Sequence, residues 1–211
     1  MLSTNNCTQL PTRNRLKDIC KSVSVADAIF SEDWLDRYYT FNSKWAQNEE
    51  FAGMRNGQGD DLLILFRSDG CVINGMAHEY FPKDKVKLTQ GLPKIYDEFI
   101  FGEPVNSIGT TFCIWTSKED TWQIGQVDSS EDGSKEMLGI FDDNYLTYVE
   151  WAIDYYELDI ENRTNLSSAI LKIYNGEILT KEMVYKVSSQ FKHWRQLIED
   201  LGEIGYPYNF D

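Results

Sequence analysis

Leu62-Leu63-Ile64-Leu65-Phe66-Arg67-Ser68-Asp69-Gly70-Cys71-Val72-Ile73-Asn74 decides the fold. The first five residues form an apolar run of strand length, too short for a buried helix. Ser68-Asp69-Gly70 supplies turn chemistry, and Cys71 to Glu79 reads as the returning strand. Such a run predicts a buried strand.

Upstream, Tyr39, Phe41 and Trp45 fall on one parity between Tyr38 and Trp45, and Phe51 to Asn56 reads as a partner strand. Gly57-Gln58-Gly59-Asp60 joins that strand to the apolar run by a tight turn. Downstream, two more strands are predicted, Thr110 to Trp115 and Trp122 to Val127, joined by Ser117-Lys118-Glu119-Asp120. The expectation is an antiparallel meander of about six strands.

Helices flank it. Leu16, Ile19, Cys20, Val23, Ala26 and Ile29 recur at three- and four-residue spacing, one apolar stripe of an N-terminal helix. Pro82 to Gln90 reads as a loop and Leu92 to Phe101 as a short helix. Beyond Ser134 the chain is mainly helical, with spans from a cap at Asp143 or Asn144 to Glu157, then 167–174, 181–190 and 191–201. Thr180 is a cap for the third of these and Asn175-Gly176 a stop for the second. Strands followed by segregated helices make the class α+β. Residues 1–11 read as a flexible N-terminus, 12–157 as the α+β domain, and 158–211 as a helical extension on the same core.

The 34 acidic and 20 basic residues leave a net charge of −14. That disfavours nucleic acid and anionic membranes, and favours a basic protein partner. The four cysteines form no C-x-x-C pair. Without an apolar leader or a span of ~20 apolar residues, a cytoplasmic location with reduced thiols is the expectation.

The catalytic motifs fail one by one. His78-Glu79 opens H-E-x-x-H, but Pro82 stands where the second histidine belongs. Gly57-Gln58-Gly59-Asp60-Asp61-Leu62 begins like G-x-G-x-x-G, ends on Leu62 and precedes a strand rather than a helix. The sequence contains no P-loop and no G-x-S-x-G elbow. It therefore implies no catalytic residue, no metal and no cofactor.

Two candidate sites remain. Residues 128–161 hold eleven acids against Lys135 alone, a local charge of −10. On the helix in that segment Glu150, Asp154 and Glu157 cluster beside the apolar stripe Leu146, Val149, Ile153 and Tyr156, with Trp151 at their edge. A tryptophan beside like charges suits protein recognition, because aromatics anchor contacts and charge steers encounter. The plain alternative is a solvated helix face with Trp151 turned into the core. The second candidate is Arg55, Asn56, Asp60, His78 and Glu79, brought together by neighbouring strands at the sheet edge as an enzyme or small-ligand site. There His78 is the proton carrier and Arg55 the anion clamp. Against it stands a structural use of Asn56 and Asp60 in shaping the hairpin.

Trp34, Arg37-Tyr38-Tyr39-Thr40-Phe41-Asn42, Trp45, Met54-Arg55-Asn56-Gly57-Gln58-Gly59-Asp60, Gly75, His78-Glu79, Thr111-Phe112-Cys113-Ile114-Trp115, Trp122 and Asp132-Gly133-Ser134 occur in that order, with an echo in Ile204-Gly205-Tyr206-Pro207. The pattern resembles a family of uncharacterised bacterial proteins of about this length. More distantly, the order of helix, antiparallel sheet and acidic helices resembles the SUKH superfamily. That resemblance implies an immunity protein that binds and neutralises a toxin, and the acidic segment implies that such a toxin is basic.

Overall fold

A computed structural model describes residues 1–80, 83–116, 119–127 and 131–211. Helix α1 (Arg13–Phe30) is followed by strands β1 (Tyr39–Ala46), β2 (Glu49–Arg55), β3 (Asp61–Arg67) and β4 (Gly70–Met76). Three short helices come next, α2 (Lys85–Leu88), α3 (Asp97–Phe101) and α4 (Val105–Ile108), then β5 (Phe112–Thr116) and β6 (Trp122–Ile124). The C-terminal part holds α5 (Ser134–Leu138), α6 (Tyr145–Tyr155), α7 (Arg163–Tyr174), α8 (Lys181–Val187) and α9 (Trp194–Ile204). It also contains a two-residue parallel pair, β7 (Leu179–Thr180) with β8 (Tyr208–Asn209).

The six long strands form one antiparallel sheet in sequence order, β1-β2-β3-β4-β5-β6. The meander and the α+β class are those expected from the sequence. Register pairs Ile64 with Ile73 and Phe66 with Cys71 on one face, and Leu65 with Val72 on the other. The first face carries Phe41, Ala52, Met54, Leu62, Ile64, Ile73, Phe112 and Ile114 against α1 and the C-terminal helices. The second carries Leu63, Leu65, Val72, Cys113 and Trp115 against Tyr96, Phe99, Ile100 and Val105. This accounts for the unbroken apolar run, since a strand between two layers has no wet side. Each fully buried aliphatic side chain contributes roughly 1.5–3 kcal/mol.

The C-terminal helices belong to the first core. Leu166, Ile170, Ile173, Val184, Leu197 and Leu201 are buried in the cluster that holds α1 and the sheet. Asn144 caps α6 through Leu146 N, Thr180 caps α8 through Met183 N, and Gly176 stops α7 at φ 72°. α7, however, starts at Arg163, four residues earlier than its apolar spacing suggests, and α8 ends at Val187. Lys85–Leu88 is helical where a loop is expected, capped by Asp84 through Val86 N. Pro82, Ser117, Lys118 and Asp128, used in the sequence reading, lie outside the described residues.

Residues 1–11 differ most from expectation. Leu2, Cys7 and Leu10 are buried, and Thr4–Gln9 forms a 3₁₀ turn. Thr4 Oγ1 donates to Asp132 Oδ2 at 2.7 Å, and Thr4 N donates to Ser134 Oγ at 3.0 Å. A long-range polar contact fixes this segment, so its polar composition carried no local sign of order. All four cysteines are buried free thiols, and burial raises their pKa, which makes them packing residues.

Gly75 faces Phe112 across the β4–β5 ladder, and a Cβ there would lie 2.1 Å from the ring. Gly75→Ala forces that ring off its rotamer in a fully packed layer. The expected cost is about 2 kcal/mol, read as a lower urea midpoint at unchanged m-value.

Candidate functional site

The loop from α1 to β1 presents large apolar side chains to solvent. Asp33 Oδ1 accepts from Leu35 N at 2.9 Å and closes a 3₁₀ turn at Trp34–Asp36. The turn leaves Trp34 51% and Leu35 70% exposed. The next residue, Arg37, is buried. Its guanidinium donates to the carbonyls of Ser31 and Glu32, each at 2.9 Å, and to Asp200 Oδ2 of α9 at 2.6 Å. Asp200 Oδ1 accepts from Gln196 Nε2 at 3.1 Å. A buried, fully bonded ion pair thus locks the loop onto the last helix, and the exposed rings are held rather than swinging free.

Behind the loop lies an aromatic cluster built by β1 and α6. The Tyr38 ring centroid is 4.8 Å from Trp151 and 5.0 Å from Tyr155, and Trp151 stacks on Tyr155 at 4.8 Å. Tyr39 and Tyr148 lie beneath them, both buried. Asp27 of α1 holds this arrangement from below at 0% exposure. Its Oδ2 accepts from Tyr38 N at 3.1 Å and Tyr39 N at 2.7 Å, and its Oδ1 accepts from Tyr148 Oη at 2.6 Å. The Tyr156 hydroxyl also faces the carboxyl, without hydrogen-bonding geometry. Burial without a partner cation pushes the Asp27 carboxyl up to about 7, against the hydrogen bonds that favour its charged form.

The second candidate group partly assembles. Gly57 and Gly59 take φ of 71° and 106°, so the segment is a hairpin turn and not a phosphate loop. Asn56 Oδ1 accepts from Gln58 N and Asp60 N, and Asn56 Nδ2 donates to Asp60 Oδ2 at 2.6 Å. Asp60 Oδ1 accepts from His78 N at 2.8 Å and lies 2.7 Å from His78 Nδ1. Gly59 admits this approach, since a Cβ there would sit 3.1 Å from His78 Cβ. Arg55 turns to other partners. Its guanidinium lies 3.7 Å over the Trp34 ring, and Nη2 donates to Trp34 O at 2.6 Å. Glu79 is exposed and makes no hydrogen bond to these residues. None of five clefts in the described residues is lined by His78 or Asp60.

The acids of the C-terminal segment are largely used internally. Asp132 is buried against Thr4 and Ser134, Asp142 accepts from Thr147 Oγ1 at 2.7 Å, and Asp143 pairs with Arg15 at 2.6 Å. Glu150 pairs with Arg163, whose Nε lies 2.8 Å away, and Asp159 accepts from Glu161 N. Asp154 and Glu157 remain exposed, with no ion pair among the described residues. Trp151 is half-buried in the aromatic cluster, between the two orientations weighed from the sequence. Tyr38 links the two candidate sites. It packs on Trp151 and Tyr155, and its hydroxyl, pushed up to about 12 chiefly by burial, also feels the Asp60 carboxylate.

Sequence reasoning did not place Asp27, Trp34, Leu35, Tyr38 or Tyr155 in a site. Asp27 had a readable signal, as the lone charge in Val23-Ser24-Val25-Ala26-Asp27-Ala28-Ile29-Phe30. Leu35 and Tyr155 had none, since their exposure depends on where Arg37 and α6 dock. Among the described residues no three His, Cys, Asp or Glu side chains are placed to hold a metal ion, and no helix is long and apolar enough to cross a membrane. The chain matches no family model, no curated protein and no solved structure.

The Asp27 carboxyl ionises near 3.8 when unfolded and near 7 when folded, so the folded state holds the extra proton between those values. Its contribution to stability is full below the lower value, declines as pH rises toward 7, and is flat above. Asp27→Asn removes the titration and keeps the shape, its amide oxygen accepting from Tyr38 N and Tyr39 N and its Nδ2 donating to the Tyr148 hydroxyl in place of the acceptor lost there. The stability of Asp27→Asn relative to the wild type should rise between pH 4 and 7 by roughly 1.4 kcal/mol per unit, measured by urea unfolding at a series of pH values. A difference independent of pH would remove Asp27 as the titrating group.

Proposed function

We propose that this protein is a non-enzymatic binding module for a basic protein. The contact surface is the aromatic shelf of Trp34, Leu35, Tyr38, Trp151 and Tyr155. The observation that carries the reading is the joint exposure of Trp34, Leu35 and Tyr155, the last 43% exposed, on a backbone pinned by buried polar contacts. Interface hot spots combine large aromatic anchors with rigid support. Carboxylates border the shelf: Asp36 acts on the Tyr155 hydroxyl and Asp60 on that of Tyr38, and the exposed Asp154 in the last turn of α6 and Glu157 just past its end add negative charge. With a net charge of −14, the rim attracts a lysine- and arginine-rich partner and speeds encounter.

Glu150 is a weaker contributor than the sequence implies, because Arg163 already neutralises it. Trp151 acts mainly by supporting Tyr38 and Tyr155. The order of helix, antiparallel sheet and helices supports a toxin-neutralising form of this reading, in which the shelf occupies the basic cleft of a toxin such as a nuclease. The Asp60–His78 contact favours a second reading, a proton-transfer or small-ligand site. A carboxylate on Nδ1 fixes the ring and leaves Nε2 to solvent, the arrangement of a general base.

The deciding experiment titrates the protein with basic proteins encoded beside it, at low and high salt. Trp34→Ala and Tyr155→Ala should each weaken binding by tenfold or more, about 1.4 kcal/mol, in variants that remain folded by circular dichroism at the assay temperature. An Asp36→Lys/Asp154→Lys double variant should slow association and flatten its salt dependence. Binding that ignores salt and all four substitutions contradicts the reading. If His78→Ala alone abolishes the effect on the partner while leaving affinity intact, the second reading replaces the first.

A further inference from the structure

A second surface feature adjoins the aromatic shelf at Tyr156, whose ring meets that of Tyr155 edge-on at 4.9 Å. Where the ends of α1, α6 and α8 meet the start of α7, the helices leave a cleft of about 330 Å³. That volume lies within the range of small-molecule sites, ~300–1,000 Å³. Phe30 and Tyr156 line it as a stacked pair with centroids 4.4 Å apart. Tyr185 lines it from α8, 47% exposed and packed edge-on against Trp194.

Apart from Asp159 and Lys186, the polar lining is neutral and unspent. Asn162 sits at the N-cap position of α7, where an asparagine side chain ordinarily accepts a backbone N–H, yet it makes no capping bond. Among the described residues Asn165, Ser188, Ser189 and Gln190 also make no side-chain hydrogen bond. The two charged lining residues are already engaged. Lys186 pairs with Glu182 at 2.7 Å, and Asp159 accepts from Glu161 N at 3.0 Å. Amides and hydroxyls each both donate and accept, as the hydroxyls of a sugar require. Aromatic planes suit the C–H faces of a pyranose ring, which are apolar while its rim is polar. Helix ends rather than an open strand edge form the walls, so no ladder is offered to an extended peptide.

From these features we infer that the cleft is a binding site for a neutral saccharide of one or two rings. Tyr156 and Tyr185 are its stacking surfaces, and Asn162, Asn165 and Gln190 its hydrogen-bonding groups. This site adjoins the proposed protein-binding shelf through the Tyr155–Tyr156 ring contact, but it rests on different hydrogen-bonding residues. The test records amide chemical-shift changes in the full chain on titration with N-acetylglucosamine, glucose, maltose and cellobiose, and with an uncharged Ala/Ser/Gly tetrapeptide. At least one sugar should bind with millimolar affinity, with shifts gathered at residues 156–166 and 185–190. Tyr185→Ala and Asn165→Leu, both at exposed positions, should weaken it by roughly tenfold with unchanged melting temperature, whereas Trp34→Ala should not. The proposal is overturned if no sugar shifts these residues, if the peptide alone does, or if binding survives both cleft variants.

Discussion

A carboxyl group with no cation beside it, Asp27, ties together the three elements on which the rest of the molecule is arranged. It sits on α1, receives the two backbone N–H groups that begin β1, and receives the Tyr148 hydroxyl from α6. Burying a charge unpaired is costly, so the site is tolerated by shifting its ionisation toward neutrality and by satisfying its oxygens. Its position sets the direction in which β1 leaves the helix. Because Tyr38 and Tyr39 are the residues it grips, it also sets where the aromatic cluster forms. Arg37 and Asp200 repeat the device one residue earlier, tying the same loop to α9.

The consequence is a rigid aromatic surface on an acidic protein. Rings exposed on a mobile loop lose entropy when they bind, whereas rings held by buried hydrogen bonds have lost it on folding. The acids contribute unevenly. Asp132, Asp142, Asp143 and Glu150 hold the chain to itself, Asp36 and Asp60 act on the shelf tyrosines, and Asp154 and Glu157 are exposed. A segment charge of −10 therefore overstates what is left unpaired, since Asp143 and Glu150 meet arginines of the same chain.

The fold was legible because its signals are local. Leu62 to Phe66, the turn at Ser68-Asp69-Gly70 and the capping residues Asn144 and Thr180 each act through neighbours a few positions away. The site was legible only in part. Asn56, Asp60 and His78 were grouped by the meander's own geometry, and they do meet. Arg55 lies on the same hairpin but stacks on Trp34, twenty-one residues earlier in the chain, a pairing that no spacing encodes. The N-terminal segment shows the same limit, since its order comes from Asp132 and Ser134.

The sequence by itself determined the α+β class, the strand order and the acidic character, because periodicity, turn residues and formal charge are properties of short stretches and of sums. Tertiary structure alone decided which aromatics stay exposed, which carboxylates face outward and which asparagines are left without a partner. Those outcomes depend on distant segments competing for the same hydrogen bonds and the same buried volume, and that competition is resolved only when the chain is packed.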